Sequence, residues 1–350
     1  MYDTALYIGR FEPPHAGHMA LLQRALDSAQ QAIVVMGSAW QVRSPKNPFT
    51  WPEREAMLRA ALPAADSARL QVLPVRDYYN EAVWVQAVRR AVAQGTAPGA
   101  RIVLVGHFKD ATSSYLGNFP GWDLIDMERQ GTIDATTIRD AYFGATPASA
   151  AAAMAPLAPQ MPASTLATLV AFAQQPEYAV LQEEWRMLRN FRASWAQSPY
   201  PPVFVTVDAV LRCQGQVLLI RRAHAPGQGQ LAVPGGFIEQ RETVWQSCLR
   251  ELAEETHCAL PEASWRAALR EITVFDHPDR SQRGRTITHA HYFDLAEAPF
   301  PPVQADDDAM QVLWVPIDQL AAMEEEFFED HFHMLDHFFG LTGMDGLLLP

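Results

Sequence analysis

The stretch Tyr2-Asp3-Thr4-Ala5-Leu6-Tyr7-Ile8-Gly9-Arg10-Phe11-Glu12-Pro13-Pro14-His15-Ala16-Gly17-His18-Met19 runs from a strand pattern, through a Gly/Pro turn, into a helix pattern that continues to Ala29. Apolar runs recur at Ala32–Met36, Leu70–Leu73 and Arg101–Val105, with helical patterns between them. Residues 1–145 therefore predict a βαβ rhythm. That rhythm implies an α/β domain with a parallel sheet, helices on both faces and ligands at the carboxyl ends of the strands. Thr146–Pro162 is rich in Ala and Pro, and a helix pair follows through Trp195, so 146–198 is expected to form a connector, with Ala148–Ala155 open between linker and helix. Pro199-Tyr200-Pro201-Pro202 then punctuates the chain. Strand patterns at Val203–Leu211, Gln216–Ile220, Ile287–Leu295 and Val312–Val315, with a long helix around Thr243–Thr256, predict an α+β, mostly antiparallel domain over 199–350.

Composition narrows the function classes. The chain has 350 residues, 49% hydrophobic and 19% charged, which suits two globular domains. Lys and Arg number 27 against 40 Asp and Glu, a net charge of −13 whose field repels nucleic acid and anionic membranes. Neither is an expected partner. Three cysteines, Cys213, Cys248 and Cys258, suit a reducing compartment. No apolar run approaches the roughly 18 residues that span a bilayer, so a cytoplasmic location is expected.

His15 and His18 are spaced i, i+3 at the start of the first helix, which stacks both imidazoles on one face of its first turn. Free N–H groups and the helix dipole already favour anions there. Gly17 removes a side chain between the rings, so a triphosphate can approach the backbone. Gly-Arg-Phe-x-Pro-Pro-His-x-Gly-His resembles the HxGH motif of the nucleotidyltransferase superfamily. Ile133-Asp134-Ala135-Thr136-Thr137-Ile138-Arg139 is similar to its ISSTxIR motif, with Asp134 and Ala135 in place of the two serines. The resemblance implies a Rossmann-like domain in which a phosphate of one substrate attacks the α-phosphate of ATP and releases pyrophosphate. It gives His18 the transferring phosphoryl group, His15 the orientation of the triphosphate and Arg139 the β and γ phosphates. Gly9, Arg10, Phe11, Gly17, Gly106, Lys109 and Thr136 are implied in nucleotide binding. Such chemistry rests on positioning and charge neutralisation and needs no protein nucleophile.

Asn47-Pro48-Phe49-Thr50-Trp51-Pro52-Glu53-Arg54, Asp77-Tyr78-Tyr79-Asn80-Glu81-Ala82-Val83-Trp84 and Gly106-His107-Phe108-Lys109-Asp110 further resemble the nicotinamide mononucleotide (NMN) adenylyltransferases. A cationic pyridinium suits an aromatic face, so Trp84 is a candidate to stack on nicotinamide and Asn80 to bond its carboxamide. Trp84 equally fits the core stripe Trp84-Val85-x-x-Val88 of an amphipathic helix. Both readings stay open.

In the second half, Gly236, five residues, Glu242, seven residues, then Arg250-Glu251-Leu252-Ala253-Glu254-Glu255-Thr256-His257-Cys258 resembles the Nudix box GX5EX7REUXEEXGU at every fixed position but one. Where that family has glycine, this chain has His257. Glu251, Glu254 and Glu255 stand at i, i+3 and i+4, so three carboxylates share one helical face, while Trp245, Leu249 and Leu252 mark the core-facing stripe. Hard divalent cations relieve such repulsion, and Mg²⁺ favours a few carboxylates plus substrate phosphate oxygens. Arg250 can lock the carboxylates. The resemblance implies Gly236, Glu251, Glu254 and Glu255 as the metal site, with Arg250 beside them in the catalytic set. Glycine at 257 would serve as a left-handed residue closing the helix, a conformation histidine tolerates; an added metal ligand is the lesser reading. Arg283 and Arg285 are candidates to bind phosphate or ribose, or to pair structurally, and a catalytic base is sought among Glu324–Glu329.

Together the halves resemble the bifunctional NMN adenylyltransferase/Nudix hydrolase family. That resemblance implies NAD synthesis from NMN and ATP, and metal-dependent hydrolysis of ADP-ribose to AMP and ribose 5-phosphate. The expected metal is Mg²⁺, with Mn²⁺ as the other candidate, and the expected partners are ATP, NMN or NAD, and ADP-ribose. A homo-oligomer is left open. The alternatives are an adenylyltransferase for another phosphate acceptor, such as phosphopantetheine, joined to a Nudix domain that acts on another dinucleotide or senses a ligand without turnover.

Overall fold

In the computed structural model, strand β1 (Tyr2–Gly9) lies at the centre of a parallel sheet with β2 (Ala29–Met36), β3 (Leu70–Pro74), β4 (Ile102–Gly106) and β5 (Asp123–Asp126), in the order β3-β2-β1-β4-β5. The described residues are 1–107, 117–128 and 131–343, so Lys109 lies outside them. Helices α1 (Ala16–Ser28), α2 (Trp51–Ala60), α3 (Ala64–Ala68) and α4 (Glu81–Gly95) connect the strands. Side chains alternate between the two faces of a strand. Accordingly Ala5 and Tyr7 pack with Leu22, Ala25 and Leu26 of α1, whereas Leu6 and Ile8 pack with Val85, Val88 and Val92 of α4. Both faces are covered, which explains why the strands read as continuous apolar runs. The strand order turns between β1 and β4, and a crevice opens past their carboxyl ends.

Contacts divide the chain into two units, Met1–Trp185 and Arg186–Pro350. The Ala/Pro-rich segment up to residue 185 therefore belongs with the first unit. It folds as α6 (Ala150–Met154) flanked by 3₁₀ turns, then α7 (Ala163–Phe172) and α8 (Pro176–Ser194), after α5 (Ala135–Phe143). Tyr142, Phe143, Phe172, Tyr178 and Trp185 form its core. Buried hydroxyls are satisfied locally: Tyr142 donates to the Leu169 carbonyl (2.6 Å), and Tyr178 to the carbonyls of Tyr142 (2.6 Å) and Ala145 (2.7 Å).

The second unit is built on a mixed sheet of β6 (Phe204–Cys213), β7 (Gln216–Arg222), β8 (Leu231–Ala232), β9 (Gly235–Phe237), β10 (Leu269–Phe275), β11 (Thr286–Asp294) and β12 (Ala309–Pro316). Its path is β10-β11-β6-β7-β12, with β8 on β7 and β9 on β6. The β11–β6 pair is parallel and the others antiparallel. Val207, Ala209 and Leu218 face Cys248 and Leu252 of α9 (Val244–Thr256), with α10 (Glu262–Ala268) on the same side. On the opposite face Val210, Val217 and Leu219 meet Met334 and Leu335 of α11 (His331–Phe339). No helix among the described residues is long and apolar enough to cross a membrane.

The central strand β6 carries a charged residue inside this core. Asp208 on β6 is buried and accepts a hydrogen bond from Thr288 Oγ1 (2.5 Å), and burial pushes its carboxyl up to about 6. The folded chain holds that proton more tightly than the unfolded chain does. The resulting stabilisation is full below the ordinary carboxylate range and is lost as pH rises from about 4 to about 6. Asp208→Asn, which keeps an acceptor for Thr288, should therefore melt above wild type by about 3 °C or more at pH 8. The gap should shrink at pH 5, as calorimetry at both pH values would show.

Candidate active sites

The first site is built on the amino end of α1. His15 is its cap residue in extended conformation; His15 Nδ1 accepts the Gly17 N–H (3.2 Å) and His18 Nδ1 accepts the His15 N–H (3.3 Å). With each Nδ1 used as acceptor, the ring proton resides on Nε2. The rings lie with centroids 3.7 Å apart, tilted by 34°. Burial, aided by the neighbouring His15, holds His18 well below the usual histidine range, so it is a neutral donor at physiological pH. Phe11, at φ 58°, is buried beneath it, 4.9 Å from the His18 ring. A Cβ on Gly9 would come within 3.1 Å of the Phe11 ring, a tight contact that glycine avoids.

A cleft of about 330 Å³ opens above this turn, lined by Arg10, Phe11, His15, Gly17, His18, Gly106, Thr136 and Arg139, among others. The HxGH motif and the downstream arginine motif, more than a hundred residues apart, thus meet in one site. Arg139 Nη1 donates to the Glu12 carbonyl (2.6 Å) and Nη2 to Thr136 Oγ1 (3.2 Å). Asp134 caps α5 by accepting the Thr137 N–H (2.8 Å), the task a serine performs at a helix start. Glu12, Lys46 and Glu128 also line the cleft and were not anticipated from sequence. Glu12 occupies the variable position of its own motif, and Lys46 immediately precedes Asn47-Pro48-Phe49, so adjacency to motifs was the available signal. Asn80 and Trp84 do not line this cleft. Asn80 Oδ1 caps α4 through the Val83 N–H (3.1 Å), and half-buried Trp84 meets Phe119 edge-on at 6.1 Å.

The second site lies on α9. Arg250 Nη1 donates to Glu251 (2.9 Å) and Glu254 (2.8 Å), and its Nε to Glu242 (3.0 Å), so one guanidinium aligns three box carboxylates. Glu255 is buried and accepts the Gly235 N–H (2.9 Å). Gly235 is required by close approach, since a Cβ there would lie 2.2 Å from the Val207 carbonyl, and a Cβ on Gly236 would lie 2.6 Å from the Glu251 carboxylate and displace it. His257 closes α9 at φ 52°, ψ 14°, and its Nε2 pairs with Asp306 (2.7 Å). The guanidinium of Arg283 lies 5.0 Å above the Phe237 ring, one residue past Gly236. Arg285 turns away to the carbonyl of Asp276. Glu329 holds the loop before them, accepting from Ser281 Oγ (3.0 Å) and the Gln282 N–H (2.7 Å).

The donor set of α9 fits a hard divalent cation. Burial raises the Glu251 carboxyl and pushes Glu255 up to about 8, with Glu251 adding to the effect on Glu255. Arg250 on Glu251 and Arg222 near Glu255 offset this burial only in part, and a cation would supply further compensating charge. Among the described residues no three His, Cys, Asp or Glu side chains converge into a ready cage. The carboxylates would therefore share an ion with water and phosphate oxygens, as Mg²⁺ prefers.

Residues 6–115 match the cytidylyltransferase-like family model and residues 201–338 the NUDIX domain model, so the chain joins a nucleotidyltransferase-type domain to a Nudix domain. The nicotinamide/nicotinic acid mononucleotide adenylyltransferase of Acinetobacter baylyi is 33% identical over 186 residues, covering 53% of this chain and 94% of that protein. A crystal structure of a bifunctional NMN adenylyltransferase/ADP ribose pyrophosphatase from Francisella tularensis superposes with a TM-score of 0.88 at 32% identity, covering 96% of this chain and 98% of that one. A second structure of the Francisella tularensis protein, complexed with AMP and a Mn ion, gives a TM-score of 0.86 at 31% identity. The chain belongs to the bifunctional NMN adenylyltransferase/ADP-ribose pyrophosphatase family.

Proposed function

We propose that the first unit transfers AMP from ATP to NMN, giving NAD and pyrophosphate, and that the second hydrolyses ADP-ribose to AMP and ribose 5-phosphate. The observation that carries the reading is that one chain holds both constellations, His15, His18 and Arg139 around one cleft and the Arg250-aligned glutamates on α9. In the first reaction the NMN phosphate attacks the α-phosphorus of ATP and the bond to the β,γ-pyrophosphate breaks. His18, a neutral Nε2–H donor, meets charge developing on the transferring phosphoryl group, and Arg139 holds the leaving pyrophosphate. In the second, a divalent cation held at the glutamates, with Mg²⁺ our choice, would neutralise the diphosphate and lower the pKa of water. Glu251, Glu254 and Glu255 would hold it, and Arg250 keeps the first two in register. A reducing, cytoplasmic setting belongs to the reading, supported by three buried cysteines left as free thiols.

The choice of NMN is tested by comparing acceptors with ATP and Mg²⁺: NAD should form from NMN, while phosphopantetheine should remain unmodified. In the same assay Trp84→Ala should raise KM for NMN about tenfold and leave KM for ATP within twofold, because stacking on a cationic ring is lost for one substrate alone. Unchanged KM for NMN with a lowered melting temperature would assign Trp84 to the core instead.

A further inference from the structure

The side chain of Glu12 lines the first site and has no role in the chemistry above. It is 2% exposed, and Oε2 accepts the Phe49 N–H (3.2 Å). Oε1 stands 3.1 Å from Nε of Arg54, itself 1% exposed. The remaining donors of Arg54 reach the carbonyls of Arg10 (2.6 Å), Gly37 (2.9 Å) and Ser38 (3.0 Å). The side chain of Glu12 thereby ties the segment preceding and opening α2, which carries Lys46, to the turn between β1 and α1. The carbonyl of the same residue receives Arg139. Three stretches that line one cleft converge on a single residue.

Stability alone does not explain this choice. Glu12 Oε1 and Arg54 Nε are buried without an aligned hydrogen bond, so the ion pair forgoes the geometry that would offset its desolvation. Burial also pushes the Glu12 carboxyl up to about 7 against the opposing charges of Arg54, Arg139 and Arg10. The charge is therefore costly, whereas the acceptor to Phe49 is well placed.

We infer that Glu12 is a positioning residue for adenylyl transfer, which by accepting the Phe49 N–H fixes the Lys46 segment beside the turn that holds Arg139 at the triphosphate cleft. The inference rests on the proposed adenylyltransferase activity, and wild-type NAD synthesis in the same assay reports on that reading separately. The role lies in the oxygen acceptor, not in the charge. Glu12→Gln keeps an acceptor and should retain kcat for NAD synthesis within about threefold. Glu12→Ala removes it and should lower kcat by about 30-fold, since misplacement of about 1 Å in a positioned site costs up to 10². ADP-ribose hydrolysis should stay at the wild-type rate in both, as a check on the chain. Where Glu12→Ala fails to fold, Glu12→Asp keeps the charge but withdraws the oxygen by one methylene, and should lose kcat where Glu12→Gln does not. Wild-type kcat in whichever of the Ala and Asp variants is read would overturn the assignment. Equal losses in the Gln and Ala variants would overturn it too, since they would make the charge the operative feature.

Discussion

Glu254→Gln is expected to lower ADP-ribose hydrolysis by a factor of about 100 or more while NAD synthesis by the same preparation stays at the wild-type rate. Glutamine preserves size and can still accept a hydrogen bond from Arg250, which now lies 2.8 Å from Glu254, but it removes a charge from the three-carboxylate face. Without metal the variant should melt close to wild type, because relief of one like-charge repulsion on the helix offsets the weakened pair with Arg250. Glu255→Gln should give the same loss. The separation of effects follows from the division of the chain at Trp185–Arg186, which places α9 and the His15–His18 turn in different units. Hydrolysis at the wild-type rate in Glu254→Gln would remove that residue from the metal site. Binding of ADP-ribose without turnover in wild type would make the domain a sensor.

The second large effect is at His18. Replacing it by Ala should cut kcat for NAD synthesis by about 10² or more, the scale of losing one fixed donor to developing charge. Because burial keeps His18 neutral well below its ordinary range, the wild-type rate should show no inflection from this ring between pH 6.5 and 8.5. Its Nε2–H is set by a backbone bond at Nδ1, so His18→Gln, which lacks that anchor, should not restore the rate. A pH profile of kcat together with the Ala and Gln variants checks both statements.

Much of this site was legible in the sequence because its information is local. The i, i+3 histidines, the glycine between them and the turn after a strand all fall within ten residues, and the Nudix glutamates fall on one helix, where spacing alone fixes the face they share. The left-handed end of α9 was legible too, since a pattern glycine predicts positive φ whichever residue replaces it, and His257 adopts φ 52°. What escaped the reading is held by tertiary contacts. Arg54 reaches Glu12 across 42 positions, with no periodicity linking them. The parallel β11–β6 pair within a mostly antiparallel sheet is a choice of strand direction that strand patterns do not encode. The Ala/Pro-rich segment looked like a connector because small side chains give weak periodicity, yet Tyr142, Phe172 and Tyr178 around it supply the apolar surface that packs it onto the first unit. Asn80, a candidate ligand for the acceptor by its motif, also caps α4 through Oδ1, a use common to asparagine at helix starts.

The central claim, that one chain performs both phosphorus chemistries at separate sites, is tested most directly by ³¹P NMR of the full chain with Mg²⁺, supplied first with ATP and NMN and then, in a second tube, with ADP-ribose. The first tube should show the NAD diphosphate resonances growing in step with free pyrophosphate, and the second should show AMP and ribose 5-phosphate in equal amounts. Orthophosphate or ADP in place of pyrophosphate in the first tube, or an unchanged ADP-ribose spectrum in the second, would contradict it.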